Sequence, residues 1–192
     1  MIAPVEPKDL WPLPVYARIR DEVRRQVIAH KKPRRLALGP DMSVLFETRL
    51  TVKFQVMELV RAEGITSDAA MREELEAFNP MLPGEGALHA TLMVEADAER
   101  SGPLLETLAG LAGTVHLDVG GARVTARFDA ARDDGRRISA VQFLHFTLGE
   151  HAARLAPDAG GEVRLVCEHP RYRHAVTLSP ETRRALADDL ES

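Results

Sequence analysis

Two adjacent glycines, Gly120 and Gly121, separate two stretches of alternating apolar residues, and this pattern constrains the fold more than any other in the chain. The alternating residues are Val115, Leu117 and Val119 before the glycines and Val124, Ala126 and Phe128 after them. A β-strand turns every second side chain to the same face, and paired glycines readily adopt the backbone of a two-residue hairpin turn. The sequence therefore predicts a β-hairpin over residues 114–128, and with it an antiparallel sheet.

The rest of the chain shows further strand patterns interspersed with helical ones. Strands are predicted at residues 36–38, 44–46, 88–95, 138–148, 162–168 and 175–178, and helices at 15–31, 50–62, 68–79, 103–111 and from 180 onward. Residues 50–62 also fit a strand period, but the length of this run and its content of Gln, Met, Glu and Leu favour a helix. We therefore predict an α+β fold with a mainly antiparallel sheet and helices packed on one side.

The length of 192 residues suits a single domain. We predict one domain over residues 1–192, in which residues 1–14 form an extended N-terminal segment. The net charge of −4 argues against general nucleic-acid binding. Because Cys167 is the only cysteine, and because the sequence lacks a signal-like start and any run of about 18 apolar residues, we expect a cytoplasmic protein without a membrane partner. A homo-oligomeric state stays open.

Two His-x-Thr triplets on predicted strands are the most specific chemical feature. Both have the form Leu-His-x-Thr-Leu, with His89 and Thr91 in the first and His145 and Thr147 in the second. On a strand, the histidine and the threonine project from one face. Two such strands side by side would bring two imidazoles and two hydroxyls together. One histidine could then accept a proton and the other donate one, while the threonines bind phosphate oxygens.

The triplets resemble the paired motif of the two-histidine phosphoesterase superfamily, which includes RNA ligase-like cyclic phosphodiesterases. The resemblance implies that His89 and His145 are the acid–base pair and that Thr91 and Thr147 bind phosphate. It covers about ten residues. The alternative interpretation is structural, since threonine is common in strands and histidine is tolerated on a half-exposed sheet face.

Other polar groups are weaker candidates. A face for a ligand or a protein partner is predicted from polar residues in and around residues 47–79, namely Glu47, Arg49, Gln55, Glu58 and Asn79. Residues 30–35 (HKKPRR) form a basic cluster that suits either an anionic ligand or the negative end of the helix dipole. Cys167, His169 and His174 lie close in sequence but lack a metal-ligand spacing, so no metal site and no cofactor are predicted.

From Tyr16 to the C-terminus, the chain resembles a bacterial family known as domain of unknown function 3501. The stretches that carry the resemblance are YARIRDEVRR (16–25), RRLALGP (34–40), FETRLTVKFQVMELVR (46–61), EELEAFNPMLP (73–83), SAVQFL (139–144) and His169-Pro170-x-Tyr172. The family has no established activity. Its genes often neighbour those of rubrerythrin-like proteins and iron–sulfur oxidoreductases, so the resemblance implies an accessory role in redox chemistry or oxidative stress, with such proteins as partners.

Three hypotheses follow. The first is an accessory or interaction protein without a cofactor, in a redox or oxidative-stress context. The second is a two-histidine phosphoesterase that acts on a nucleotide or an RNA end. The third is a metal-binding or small-ligand-binding domain. We favour the first, and the sequence leaves open whether the protein is an enzyme.

Overall fold

The computed structural model describes residues 3–129 and 135–191 and has an α+β fold, as predicted. The helices are α1 (Leu13–Lys31), α2 (Arg49–Glu63), α3 (Asp68–Phe78), α4 (Ala98–Thr107) and α5 (Pro180–Glu191). The strands are β1 (Arg35–Ala37), β2 (Met42–Phe46), β3 (Ala87–Val94), β4 (Val115–Val119), β5 (Ala122–Thr125), β6 (Arg127–Phe128), β7 (Val141–Thr147), β8 (Val163–His169) and β9 (Tyr172–Thr177). Short 3-10 turns connect several of these elements.

The strands form two antiparallel sheets. Sheet A has the order β1-β2-β3-β7-β6, and sheet B has the order β5-β4-β8-β9. The predicted hairpin is confirmed as β4 and β5, but its second strand runs on into the other sheet. The Ala126 N–H still donates to Val115 O in sheet B, at 2.9 Å, whereas the Asp129 N–H donates to Phe143 O in sheet A, at 3.3 Å. One continuous stretch of chain therefore belongs to both sheets.

The larger hydrophobic core lies between the two sheets. Sheet A contributes buried residues such as Phe46, Leu92 and Phe146, and sheet B contributes residues such as Leu117 and Leu165. These side chains follow the period of two along each strand, which explains why the opposite face of sheet B is rich in charged residues. The C-terminal helix α5 joins this core through Leu186.

A second core lies on the other face of sheet A, among helices α1, α2 and α3. Its buried residues include Tyr16, Val27, Val56 and Leu75, and Phe143 of sheet A packs against it. The N-terminal segment, predicted as extended, contains a 3-10 turn at Pro7–Asp9 and also contributes to this core. Sheet A is thus covered on both faces. None of the helices in the described part of the chain combines the length and apolar character needed to cross a membrane.

Local sequence signals explain most helix boundaries. The segment with two possible periods is helical, and α2 begins after Thr48, whose side chain accepts from the Thr51 N–H. Gly64, with φ of 65°, ends it. The prediction of a helix from residue 103 is wrong at its start: α4 begins at Ala98 because Asp97 caps it, and Pro103 lies inside the helix.

Tyr172 links the turn between β1 and β2 to sheet B. Its hydroxyl donates to Leu38 O at 2.8 Å and accepts from the Asp41 N–H at 3.0 Å. The turn passes so close to β9 that a Cβ atom on Gly39 would lie 2.6 Å from the His174 ring and 2.6 Å from the Tyr172 hydroxyl. Gly39 also has φ of 79°, a region that disfavours side chains.

We predict that Gly39→Ala destabilises the protein by about 2–4 kcal/mol, because left-handed strain adds to a steric clash. Gly110→Ala is the matched control. Gly110 has φ of 81°, but a Cβ atom there meets nothing within 4 Å. We expect the control to cost only the backbone strain, about 1–2 kcal/mol. Urea unfolding measures both free energies, and equal losses would contradict the close approach at Gly39.

Candidate functional site

The two predicted histidines face each other across the middle of sheet A. His89 on β3 and His145 on β7 are directly opposite in the antiparallel register. Their ring centroids are 4.2 Å apart and the rings are nearly perpendicular, at 82°. The His145 Nδ1 atom lies 3.1 Å from His89 Nε2. The sequence motif therefore identified two imidazoles that do share one face and are in direct contact.

A chain of hydrogen bonds runs through this pair. His89 Nδ1 lies 3.0 Å from Pro80 O, and His145 Nε2 lies 2.9 Å from Asp129 Oδ1. A carbonyl oxygen and a carboxylate only accept, so His89 Nδ1 donates to Pro80 O and His145 Nε2 donates to Asp129. One further proton then joins His145 Nδ1 and His89 Nε2. The lowered pKa of His89 favours His145 as the donor of that proton.

Burial and charge act together on His89. Burial, and after it the neighbouring His145, together lower the pKa of His89 to about 4. The side chain of His145 is 11% exposed and that of Asp129 is 40% exposed, so the acidic end of the chain reaches solvent. Arg127 lies beyond it, with Nη1 3.8 Å from Asp129 Oδ1. The pair can relay a proton between His145 and His89, but each ring nitrogen already has a partner.

The two threonines of the motif have different surroundings. Thr91 is buried and its hydroxyl donates to Glu47 Oε1 at 2.6 Å. Thr147 lies at the exposed end of β7. The difference arises because β3 is central in sheet A and lies beside β2, from which the chain turns at Glu47 into α2. The threonines therefore do not form a matched pair of phosphate-binding hydroxyls.

Glu47 is the centre of a buried polar cluster. It is 2% exposed, and its carboxylate accepts from the Thr91 and Thr51 hydroxyls and from Gln55 Nε2, the last at 3.2 Å. A buried carboxylate is costly unless it is hydrogen-bonded, and this cluster supplies three donors from β3 and α2. Glu47 and Gln55, two of the residues predicted to face a ligand or partner, are thus brought together.

The other three predicted face residues lie elsewhere. Glu58 accepts from Arg20 and from the buried Tyr16 hydroxyl at 2.8 Å, and hydrogen bonding by Arg20 lowers the pKa of Glu58 to about 2. Asn79 exchanges two hydrogen bonds with the Val5 backbone, at 2.9 and 3.0 Å. These contacts join the N-terminal segment and the helices to one another.

Arg49, the last of the five, also holds the N-terminal segment. Its Nη2 atom lies 2.6 Å from Asp9 Oδ2, and its Nε donates to Ala3 O at 3.2 Å. The ligand or partner role of the five residues stays a prediction, and the structure divides them among three separate clusters.

Groups of three or more histidine, cysteine or acidic side chains placed to hold a metal ion are absent from residues 3–129 and 135–191. Cys167 is buried and its thiol donates to Tyr172 O at 3.3 Å. His169 Nε2 lies 3.1 Å from Ala109 O, and His169 Nδ1 accepts from the Arg171 N–H. These hydrogen bonds lie where the chain turns from β8 into β9.

Sequence reasoning missed Asp129 and the Pro80 carbonyl. The predicted hairpin contained one usable signal, because its second strand, 122–128, is longer than the strand that precedes the glycines. The excess residues pair with β7, with Arg127 opposite His145, and this places Asp129 beside the imidazole. The position of Pro80 depends on the turn after α3, which has no signature that points to a histidine.

We predict that the free energy of unfolding falls as the pH decreases from about 6.5 to 4. Between these pH values, His89 binds a proton in the unfolded chain but stays neutral in the folded protein, because folding lowers the pKa of His89 to about 4. Urea unfolding at several pH values measures the slope. His89→Asn, which keeps a donor for Pro80 O and removes this titration, should reduce the slope. Burial also lowers the pKa of His30 and of His116, so part of the slope remains. An unchanged slope in the variant would contradict the burial of a neutral His89.

Comparisons with known proteins give one solved structure and one family model that match most of the chain. Among curated proteins, none matches it. A crystal structure described as a novel protein of unknown function from Burkholderia pseudomallei K96243 is 33% identical, superimposes with a TM-score of 0.89, and the match covers 98% of this chain and 100% of that one. The model of the family described as "Protein of unknown function (DUF3501)" matches residues 4–190. The chain therefore belongs to the DUF3501 family.

Proposed function

We propose that the protein is a non-catalytic accessory protein that acts by binding another protein. One observation supports this function more than any other: the polar groups that would perform chemistry are engaged with one another. The imidazole nitrogens of His89 and His145 contact Pro80 O, each other and Asp129. The Thr91 hydroxyl, which the hydrolytic hypothesis assigns to phosphate, is given to Glu47.

A substrate would have to displace hydrogen bonds that the folded protein already makes. A phosphate oxygen that binds His89 or His145 must break a hydrogen bond of a partly buried pair, and one that binds Thr91 must leave a buried carboxylate short of a donor. A general acid or base, in contrast, needs a nitrogen within reach of the substrate proton. The site suits a stable scaffold better than a proton-transfer centre.

The redox context of this proposal rests on the family resemblance. We infer a cytoplasmic protein whose partners are rubrerythrin-like proteins or iron–sulfur oxidoreductases encoded near its gene. The net charge of −4 suits a protein partner better than a nucleic acid.

We predict that the full-length chain binds a purified rubrerythrin-like protein or iron–sulfur oxidoreductase encoded next to its gene, with a dissociation constant in the micromolar range, as expected for a regulatory contact between soluble proteins. Isothermal titration calorimetry measures the affinity. An unrelated protein of matched size and charge is the control. Absence of heat with every neighbouring redox protein, under conditions where each is folded and metal-loaded, would exclude the redox partnership.

The two-histidine phosphoesterase is the second candidate, since the two histidines do lie 3.1 Å apart on one face. We predict no turnover of 2′,3′-cyclic nucleotides by the wild-type chain, because no imidazole nitrogen of the pair lacks a partner. High-performance liquid chromatography of the products tests this over pH 5–8. Turnover that disappears in His145→Ala, in a variant that remains folded, would replace the accessory function with the hydrolytic one.

A further inference from the structure

An open groove lies between the C-terminal end of α1 and the free edge of sheet A. We call it the α1–β1 groove, and its lining includes Ile28, Lys31, Lys32, Arg35, Ala37 and Ser43. The cavity measures about 600 Å³. Its floor is the part of the helix-facing side of sheet A that α1 does not cover.

The groove exposes an apolar side chain that nothing in the protein covers. Ile28 is 59% exposed, and among the described residues it is the one large hydrophobic side chain with this exposure. Val23 and Val27 of the same helix are buried in the helical core. A single exposed apolar residue is ordinary on a protein surface, but the place of Ile28 in the groove offers an occupant one apolar contact.

The same groove borders an unpaired strand edge. β1 is the outermost strand of sheet A and is three residues long. The Leu38 N–H donates to Met42 O at 2.9 Å, so Leu36 and Leu38 bond to β2 in the antiparallel ladder. The backbone N–H and C=O groups of Arg35 and Ala37 therefore point away from β2, where an added strand would meet them.

The charge of the groove selects an acidic occupant. Its lining holds three basic side chains, Lys31, Lys32 and Arg35, against one acidic side chain, Glu95. Arg35 Nη1 lies 3.2 Å from Glu95, so that pair is neutral. Lys31 Nζ lies over the Phe54 ring, 5.7 Å from its centroid. Lys32 is exposed in the groove, so it is the main cation that a carboxylate placed there would meet.

We propose that the α1–β1 groove binds an extended, acidic segment of a partner protein, which pairs with the outer edge of β1 and lays an apolar side chain on Ile28. This inference rests on the proposed function and names its contact surface. A second copy of this chain fits less well, because a twofold contact through the groove would bring the lysines of the two copies together.

A defined peptide tests the groove directly. The probe is a capped pentapeptide of glutamate, threonine, valine, threonine and glutamate, whose two acidic residues and one valine share a face when extended. The control replaces both glutamates with lysine. With the full-length protein, we expect nuclear magnetic resonance shifts at the amides of Arg35 and Ala37 and at the Ile28 methyl groups, and binding at least tenfold weaker for the control peptide.

Surface variants test the same inference on the protein side. Ile28→Glu and Lys32→Glu should each weaken binding of the acidic peptide at least tenfold. Ala29→Glu is the matched control: Ala29 is exposed, neighbours Ile28 and lies outside the lining, so it should leave binding within twofold. Shifts that map to another surface, equal binding of the two peptides, or equal effects of the three variants would overturn the proposal.

Two outcomes separate this inference from the accessory function. If a redox partner binds the wild type and Ile28→Glu equally well, the accessory function stands but the groove is not its binding site. If the acidic peptide binds in the groove and no redox partner binds the protein, the groove is a binding site but the redox partnership is wrong. A dimer in sedimentation equilibrium that Ile28→Glu dissociates would assign the groove to a second copy and overturn the proposal.

Discussion

Sheet B covers one face of sheet A and helices cover most of the other, and this constraint governs the polar chemistry of the protein. Where the helices cover the sheet, a polar side chain has little access to water, so it must find a partner within the fold. Glu47 finds three, from β3 and α2. His89 and His145 find each other and are held at the outer ends by Pro80 O and Asp129. The two histidines that resemble a catalytic motif thus also satisfy each other's hydrogen bonds in a partly buried place.

Near the C-terminus, buried arginines also depend on partners within the fold. Arg34, in the 3-10 turn after α1, forms a bidentate contact of 2.8 Å with Asp189 of α5, and both side chains are about nine-tenths buried. Arg183 donates to backbone carbonyls of the loop that precedes β8, including those of Leu155 and Ala156. Loss of one partner would leave a buried charge without compensation. Besides the packing of Leu186, two contacts therefore hold the last helix in place: the ion pair with Arg34 and the hydrogen bonds of Arg183 to the loop before β8.

The sequence allowed prediction of the elements with strong local signals but not of their tertiary surroundings. The double-glycine hairpin and the helix at residues 50–62 follow from period, length and turn chemistry. The division of the strands into two sheets cannot be predicted in this way. Alternation of apolar residues indicates that one face of a strand is buried, but it does not indicate which element covers that face. The same limit explains the site: Thr91 and Thr147 have the same local motif, yet only Thr91 lies on a central strand beside the Glu47 cluster. Asp129 reaches His145 because β6 pairs with β7. The length of the hairpin's second strand indicates further pairing but does not identify β7 as the partner.

The stretch that runs from β5 into β6 belongs to both sheets, and this affects how the protein unfolds locally. Neither sheet can lose this strand without disturbing the other, because Ala126 still bonds to sheet B and Arg127, the next residue, already pairs with sheet A. Amide protons near Leu117 and near Leu144 should therefore become accessible to deuterium in one concerted event and at similar rates. Such a seam makes the two layers a single cooperative unit, in which the amides of sheet A are protected only as long as those of sheet B.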